Sequence, residues 1–161
     1  MTPDGHQRTI VVGYDGSAAA RAAVEHAIDR AKPEGRLVLV HAYEVPADHI
    51  GASYSNVMLE GSAGYAAGVL DALEADCERL STVEHERDVL TGSPAVAIIR
   101  AAEVREADEI IIGSRGLGRF RSVLGSVAHD VIHQAHCPVT VITERMVEST
   151  TATPVAGAAP A

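Results

Sequence analysis

From Gly113 to Val127 the chain reads GSRGLGRFRSVLGSV, a run of residue types suited to holding a phosphate. Gly113, Gly116 and Gly118 carry no Cβ, so the backbone there can turn sharply and approach a ligand closely. Gly125, Ser126 and Val127 open an amphipathic stretch. A helix starting there presents free N–H groups and the positive end of its dipole to an anion, and Ser126 adds a hydroxyl donor. Between Glu109 and Asp130 lie Arg115, Arg119 and Arg121 and no acid, so this segment is cationic inside a chain whose net charge is −9. The plainer alternative is that the glycines only turn the chain and the arginines are solvated. The run has no lysine and is not the GxxxxGK[ST] phosphate loop, and it also departs from the strict GxGxxG dinucleotide pattern.

A second cluster is Gly13-Tyr14-Asp15-Gly16-Ser17. An ionised carboxylate only accepts hydrogen bonds, so Asp15 suits a ribose hydroxyl or a base amine. The same residue also suits a turn or a helix cap. Other candidates fall to structural roles. His129, His133 and His136 share one face of a helix but lack a clear carboxylate or thiol to complete a metal shell, so no metal is expected. His41 reads as a half-buried, satisfied imidazole. Tyr54 and Tyr65 read as packing groups, and Cys77 and Cys137 as small hydrophobes that match no CxxC pair. No spacing argues for a nucleophile with its base, so no catalytic residue is assigned.

These clusters need elements to position them. Thr9–Tyr14 (TIVVGY) is a short apolar, β-branched run that suits a buried strand. Ala20, Val24, Ala27, Ile28 and Ala31 then recur at helical spacing, and Pro33 and Gly35 end that helix. Arg36–Tyr43 (RLVLVHAY) is apolar enough for a central strand. Glu44–Glu60 reads as a long irregular stretch, followed by a helix over 62–80. Thr82–Leu90 (TVEHERDVL) reads as an edge strand blunted by charge. Ser93 and Pro94 start a third helix as cap and first residue, which runs to about Glu106. Glu109–Ile112 is a fourth strand, Ser126–Ala135 a helix with Val127, Val131, Ile132 and Ala135 facing inward, and Pro138–Thr143 a fifth strand.

Strands alternating with helices require parallel pairing and right-handed crossovers. The fold class is therefore α/β, a single-domain open parallel sheet of five strands with helices on both faces, Rossmann-like. In such sheets ligands sit beyond the carboxyl ends of the strands, where the strand order reverses. That rule selects the loops at Gly13–Ser17, after Ala42, at Gly92–Pro94 and at Gly113–Ser126.

The chain has 161 residues, 47% of them hydrophobic and 22% charged, which fits one globular domain. Residues 1–8 are expected to be a flexible N-terminus, 9–145 the folded domain and 146–161 a flexible tail rich in Ser, Thr, Pro, Ala and Gly. The net charge argues against nucleic acid or anionic membrane as a partner. No apolar run reaches the ~18 residues of a membrane span and the first residues contain no apolar stretch, so a cytoplasmic protein is expected. The apolar strand Val139–Ile142 lies at the end of the element order, and an uncovered edge invites a second copy.

Three segments, taken together, resemble the universal stress protein family: VVGYDGS (Val11–Ser17), TGSP (Thr91–Pro94) and IIGSRGLGRFRSVLGSVAHDVIHQAHCPVTVI (Ile111–Ile142). The resemblance covers about Arg8–Thr143. It implies strand order 3-2-1-4-5 with the reversal between strands 1 and 4. It also implies that Gly113, Gly116, Gly125 and Ser126 cradle the phosphates of ATP, and the residue types of the same run add Arg115, Gly118, Arg119 and Val127 beside them. Asp15, next to Gly13, would hold the ribose or base, and the backbone of Ala42 would meet the adenine edge. ATP, with Mg2+, is the implied ligand, and a homodimer through Val139, Thr140, Val141 and Ile142 the implied assembly. The chain departs from the family's G-x2-G-x9-G-[S/T] motif in one place: Leu117–Leu124, between Gly116 and Gly125, is one residue short. The expected function is an adenine-nucleotide-binding stress-response regulator, a sensor and not an efficient enzyme. The alternatives are a nucleotide-free dimeric scaffold of the same fold and a slow ATP hydrolase.

Overall fold

The computed structural model describes residues 6–44, 55–114 and 124–143. Strands β1 (Thr9–Gly13), β2 (Arg36–Tyr43), β3 (Glu84–Thr91), β4 (Glu109–Gly113) and β5 (Val139–Ile142) form one parallel sheet in the order β3-β2-β1-β4-β5. The α/β class and the strand order expected from the sequence both hold.

Helices α1 (Ala18–Ala31) and α2 (Ser55–Asp76) pack on one face, α3 (Pro94–Val104) and α4 (Ser126–Gln134) on the other. The split follows from handedness: crossovers running one way along the sheet must lie on one face, and those running back on the other. Alternation along each strand then fills two cores. Ile10, Val12, Leu37, Leu39 and Ile111 meet Ala20, Val24, Ala27, Ile28, Leu70 and Leu73. Val11, Val38, Val40, Ile110 and Ile112 meet Ile98, Ile99, Ala102, Ala128 and Val131. All five residues of the predicted α1 stripe are buried.

Several local expectations differ from what is observed. Helix α2 begins at Ser55, inside the stretch read as irregular, because the pattern gave weight to Ser and Gly over the helix-compatible run that follows. It ends at Asp76, and a 3₁₀ turn (Glu78–Thr82) carries the chain on to β3. Ser93 occupies the N-cap of α3 without a side-chain hydrogen bond, while Pro94 is the first helical residue. Tyr65 is 79% exposed instead of packed on the sheet, and Ile132 is 45% exposed instead of inward. Ala128 takes the inward position beside Val131. Tyr54 lies outside the described residues.

At the amino ends of the strands a buried carboxylate organises the sheet. Glu109, 2% exposed, accepts from Arg8 Nη2 (2.7 Å), Arg30 Nε (3.2 Å) and Nη2 (2.7 Å), and Thr140 Oγ1 (2.6 Å). Burial pushes its pKa up, but the Thr140 hydrogen bond and the two guanidinium groups outweigh that and hold it below the ordinary glutamate value. One side chain thus joins the segment before β1, α1, β4 and the edge strand β5. Residues 6–8, which the sequence assigns to a flexible N-terminus, carry further contacts from His6 to Asp108 and from Gln7 to Glu84. Residues 144–161 lie outside the described residues.

Candidate functional site

The strand order reverses between β1 and β4, so α1 and α4 leave their strands toward opposite faces. The carboxyl ends of β1 and β4 therefore border an open crevice. Gly13 pairs with Ile112, which sets the two following loops side by side.

On the β1 side, the Tyr14 N–H donates to Val40 O at 2.9 Å, one step past the last β1 residue. The Tyr14 side chain turns down into the core, and burial pushes its phenol pKa up. Asp15 Oδ1 accepts from the Ser17 N–H at 3.0 Å, and Ser17 Oγ accepts from the Ala20 N–H at 3.2 Å. Between them Gly16 sits at φ 85°, a conformation glycine adopts without penalty. Asp15 thus spends one oxygen on the turn, while no hydrogen bond from a described residue occupies the other, which can only accept. The capping and ligand readings of Asp15 are compatible, because they use different oxygens.

Helix α4 begins across the crevice. Gly125 is its N-cap, no side chain caps it, and no acid stands in its first turn. The Gly125 N–H donates to Ser114 O at 2.8 Å, and the Ser114 N–H donates to Ile142 O at 2.7 Å. Helix geometry leaves the N–H groups of Ser126, Val127 and Ala128 without a partner inside the helix. Beside them is an anomaly. Ser114 is 6% exposed, and its Oγ is buried with no hydrogen-bond partner among the described residues. A buried hydroxyl left unpaired costs about 1–3 kcal/mol, so this site holds a donor in reserve. Ser114 has one signal in the sequence, a serine directly after an apolar strand, and that signal does not by itself single it out.

Gly113 has a role the sequence did not show. A Cβ there would sit 2.8 Å from the Ala19 carbonyl carbon and the Ala20 nitrogen, so its small size lets α1 pack onto β4. At Gly13 a Cβ would meet Ile98 Cδ1 at 2.6 Å, the far end of a flexible side chain. Both glycines set helices against the strands that border the crevice.

Ala42 lies on β2, past the last residue that β1 pairs with. The Val40 carbonyl points toward β1, and the Tyr43 carbonyl toward β3, where it accepts from Gly92 N–H. Alternation therefore turns the Ala42 peptide groups toward the β1 side, beyond the end of that strand. His41, 9% exposed, is satisfied as expected: its Nδ1 lies 2.8 Å from Tyr14 O.

Of the predicted site residues, Gly13, Asp15, Ala42, Gly113, Gly125, Ser126 and Val127 border this one crevice. Arg115, Gly116, Gly118 and Arg119 lie outside the described residues. His129 and His133 bring their rings to 4.4 Å on the exposed side of α4. Among the described residues no group of three or more His, Cys, Asp and Glu side chains could hold a metal ion. Among the same residues no helix is long and apolar enough to cross a membrane. The crevice thus offers hydrogen-bond acceptors at Asp15, peptide edges at Ala42, and a row of N–H donors with positive helix dipole at α4. Chemically, that arrangement suits a molecule with hydroxyls at one end and negative charge at the other.

The family model described as the universal stress protein family matches residues 7–143. A universal stress protein from Thermus aquaticus is 37% identical over 138 residues, covering 84% of this chain and 98% of the relative. The chain spans about half the length of Rv2624c from Mycobacterium tuberculosis, with 36% identity and 49% of that protein covered. Among solved structures, UspA from Lactobacillus plantarum superposes with a TM-score of 0.73 at 26% identity, covering 86% of this chain and 99% of that one. A universal stress protein in complex with cAMP gives 0.65 at 24% identity, covering 84% and 96%. The Arabidopsis thaliana protein At3g01520, with AMP bound, gives 0.57 at 21% identity, covering 84% and 91%.

Proposed function

The chain belongs to the universal stress protein family, and on that premise we propose that it binds ATP in the crevice between β1 and β4 as a stress-response sensor. The observation that carries this reading is the N-terminus of α4, which no described side chain caps, beside the buried hydroxyl of Ser114, which no described residue bonds. Phosphate oxygens would be received by the N–H groups of Ser126, Val127 and Ala128 and by the Ser126 hydroxyl. Arg115 and Arg119, with the backbone at Gly116 and Gly118, would add charge and close approach from the connecting segment. The free oxygen of Asp15 would accept from the ribose, and the Ala42 peptide edge would meet adenine. The cAMP and AMP complexes of the two similar structures support an adenine nucleotide as the ligand class.

In this reading, binding and release of nucleotide, read by a partner, is the function. We place the protein in the cytoplasm as a homodimer joined along β5, whose residues Val139, Thr140 and Val141 are half-buried.

The test is the material that accompanies the purified protein. The chain has no Trp, so nucleotide absorbance near 260 nm stands out clearly. Adenine nucleotide released on denaturation, with phosphate release from added ATP staying slow, is the expected result. A nucleotide-free protein that gives no thermal shift at millimolar ATP contradicts the reading. The one-residue deficit between Gly116 and Gly125 favours a second reading, a scaffold of the same fold that works without nucleotide.

A further inference from the structure

We propose that His41 is the positioning residue for the nucleoside end of the crevice, acting through the carbonyl of Tyr14. This rests on the nucleotide-binding reading above and names a residue that sets its geometry. A backbone carbonyl can only accept, so at 2.8 Å from Tyr14 O the Nδ1 of His41 must carry the proton. In the neutral ring the tautomer is thereby fixed, with the Nε2 lone pair facing away from Tyr14, and no described residue bonds Nε2. The imidazole is 9% exposed, so this is a hydrogen bond within the structure and not a surface contact.

Its placement decides its consequence. Tyr14 is held to β2 twice, by its N–H on Val40 O at 2.9 Å and by its carbonyl on His41. The next residue is Asp15, whose carboxylate is already turned by the Ser17 N–H at 3.0 Å. The turn is thus pinned at both ends, with Gly16 at φ 85° as its one permissive joint. Remove the His41 donor and the Tyr14 carbonyl is buried without that partner, at a cost the turn can relieve by rotating the Tyr14–Asp15 peptide. That rotation moves the free Asp15 oxygen, the acceptor for the ligand's hydroxyls. His41 is also adjacent to Ala42, so one residue couples the two sides of the adenosine end. Helix α4 is untouched by either effect.

The experiment compares His41→Leu, which cannot donate, with His41→Asn, whose amide can. Affinities for AMP and for inorganic tripolyphosphate are measured by titration calorimetry below the melting temperature of each variant. The Leu variant is expected to lose tenfold or more in AMP affinity, the Asn variant to stay within threefold of the parent, and tripolyphosphate binding to stay unchanged in both. Equal AMP affinity in all three proteins overturns the proposal. So does an equal loss in Leu and Asn variants, or a parallel loss for tripolyphosphate, since either would mean general loosening. Failure of the parent protein to bind AMP would instead overturn the nucleotide reading itself, and His41 would then have no nucleoside to position.

Discussion

The Gly125 N–H donates to the Ser114 carbonyl at 2.8 Å, which ties the first turn of α4 directly to the end of β4. Ser114 is in turn held to β5 through Ile142 O. The helix start is therefore fixed on the sheet by its own hydrogen bonds, whatever the length of the segment between. The missing residue relative to the family spacing falls between these anchors and does not shift the N-terminus of α4 from β4. A shortened glycine run therefore leaves the start of α4 in place on the sheet.

Asp15 uses one oxygen for the Ser17 N–H, and no described residue bonds the other, which the proposed reading gives to the ribose. Asp15→Asn retains the first acceptor and loses the charge. It should leave the melting temperature close to the parent's and weaken AMP binding about five- to tenfold, the worth of one net hydrogen bond of about 1–1.5 kcal/mol. Asp15→Ala should lower both stability and affinity. Unchanged AMP affinity in the Asn variant would remove Asp15 from the site.

Gly113→Ala places a methyl group 2.8 Å from backbone atoms of α1, which cannot move without the helix. A loss of about 1–3 kcal/mol in unfolding free energy is expected from overpacking. Gly13→Ala meets side chains only, Ile98 Cδ1 at 2.6 Å, Ile112 Cγ2 at 3.1 Å and Ile98 Cγ1 at 3.3 Å, and its cost should be smaller than at Gly113, because side chains give way more readily than backbone. Urea denaturation of the two variants checks the order. A milder effect at Gly113 than at Gly13 would contradict the packing.

Glu109 is buried, paired with Arg8 and Arg30, and its pKa is held low. A carboxylate depressed in the folded state contributes stability that is fully present above its unfolded pKa of about 4.3 and is lost as pH falls through the native value. Glu109→Gln should cost about 1–3 kcal/mol at neutral pH. The gap to the parent should begin to close as pH drops below about 4.3, where the unfolded chain takes up the proton first, and should vanish only once pH has passed below the native value. Denaturation midpoints of both proteins between neutral and acid pH measure it. A constant gap would show that Glu109 is not the titrating group.

Glu106 follows α3 at φ 47°, the left-handed region, while the Ala107 N–H closes on Ala102 O at 2.9 Å. That is the helix-ending turn in which glycine is favoured. Glu106→Gly should therefore stabilise the protein by about 0.5–1 kcal/mol, the relief of left-handed strain less the entropy glycine adds to the unfolded chain. A drop in melting temperature would contradict this.

How much of this was legible in the sequence depends on the range of the interaction. The five strands, the reversal between β1 and β4 and the buried stripe of α1 follow from period and element order, which are local signals. The start of α2 was missed because seventeen residues with scattered Gly, Ser and Pro read as loop even where a helix can form. The packing role of Gly113 was invisible because it depends on α1, nearly a hundred residues earlier in the chain. The cation partners of Glu109 were hidden for the same reason, although an acid opening the apolar run EIII was itself a sign of a buried ion pair. At Asp15 the sequence suits both a cap and a ligand contact, and only the fold shows which oxygen the turn uses.

The most direct test is titration calorimetry of nucleotide-free protein with ATP, repeated with Ser126→Pro, which removes one N–H and the hydroxyl at the first helical position while remaining compatible with helix geometry. Saturable binding of ATP by the parent, weakened at least tenfold in the variant at similar melting temperature, is the predicted result. Absence of heat with the parent at millimolar ATP, or equal affinity in both proteins, would mean that the N-terminus of α4 does not receive the phosphates.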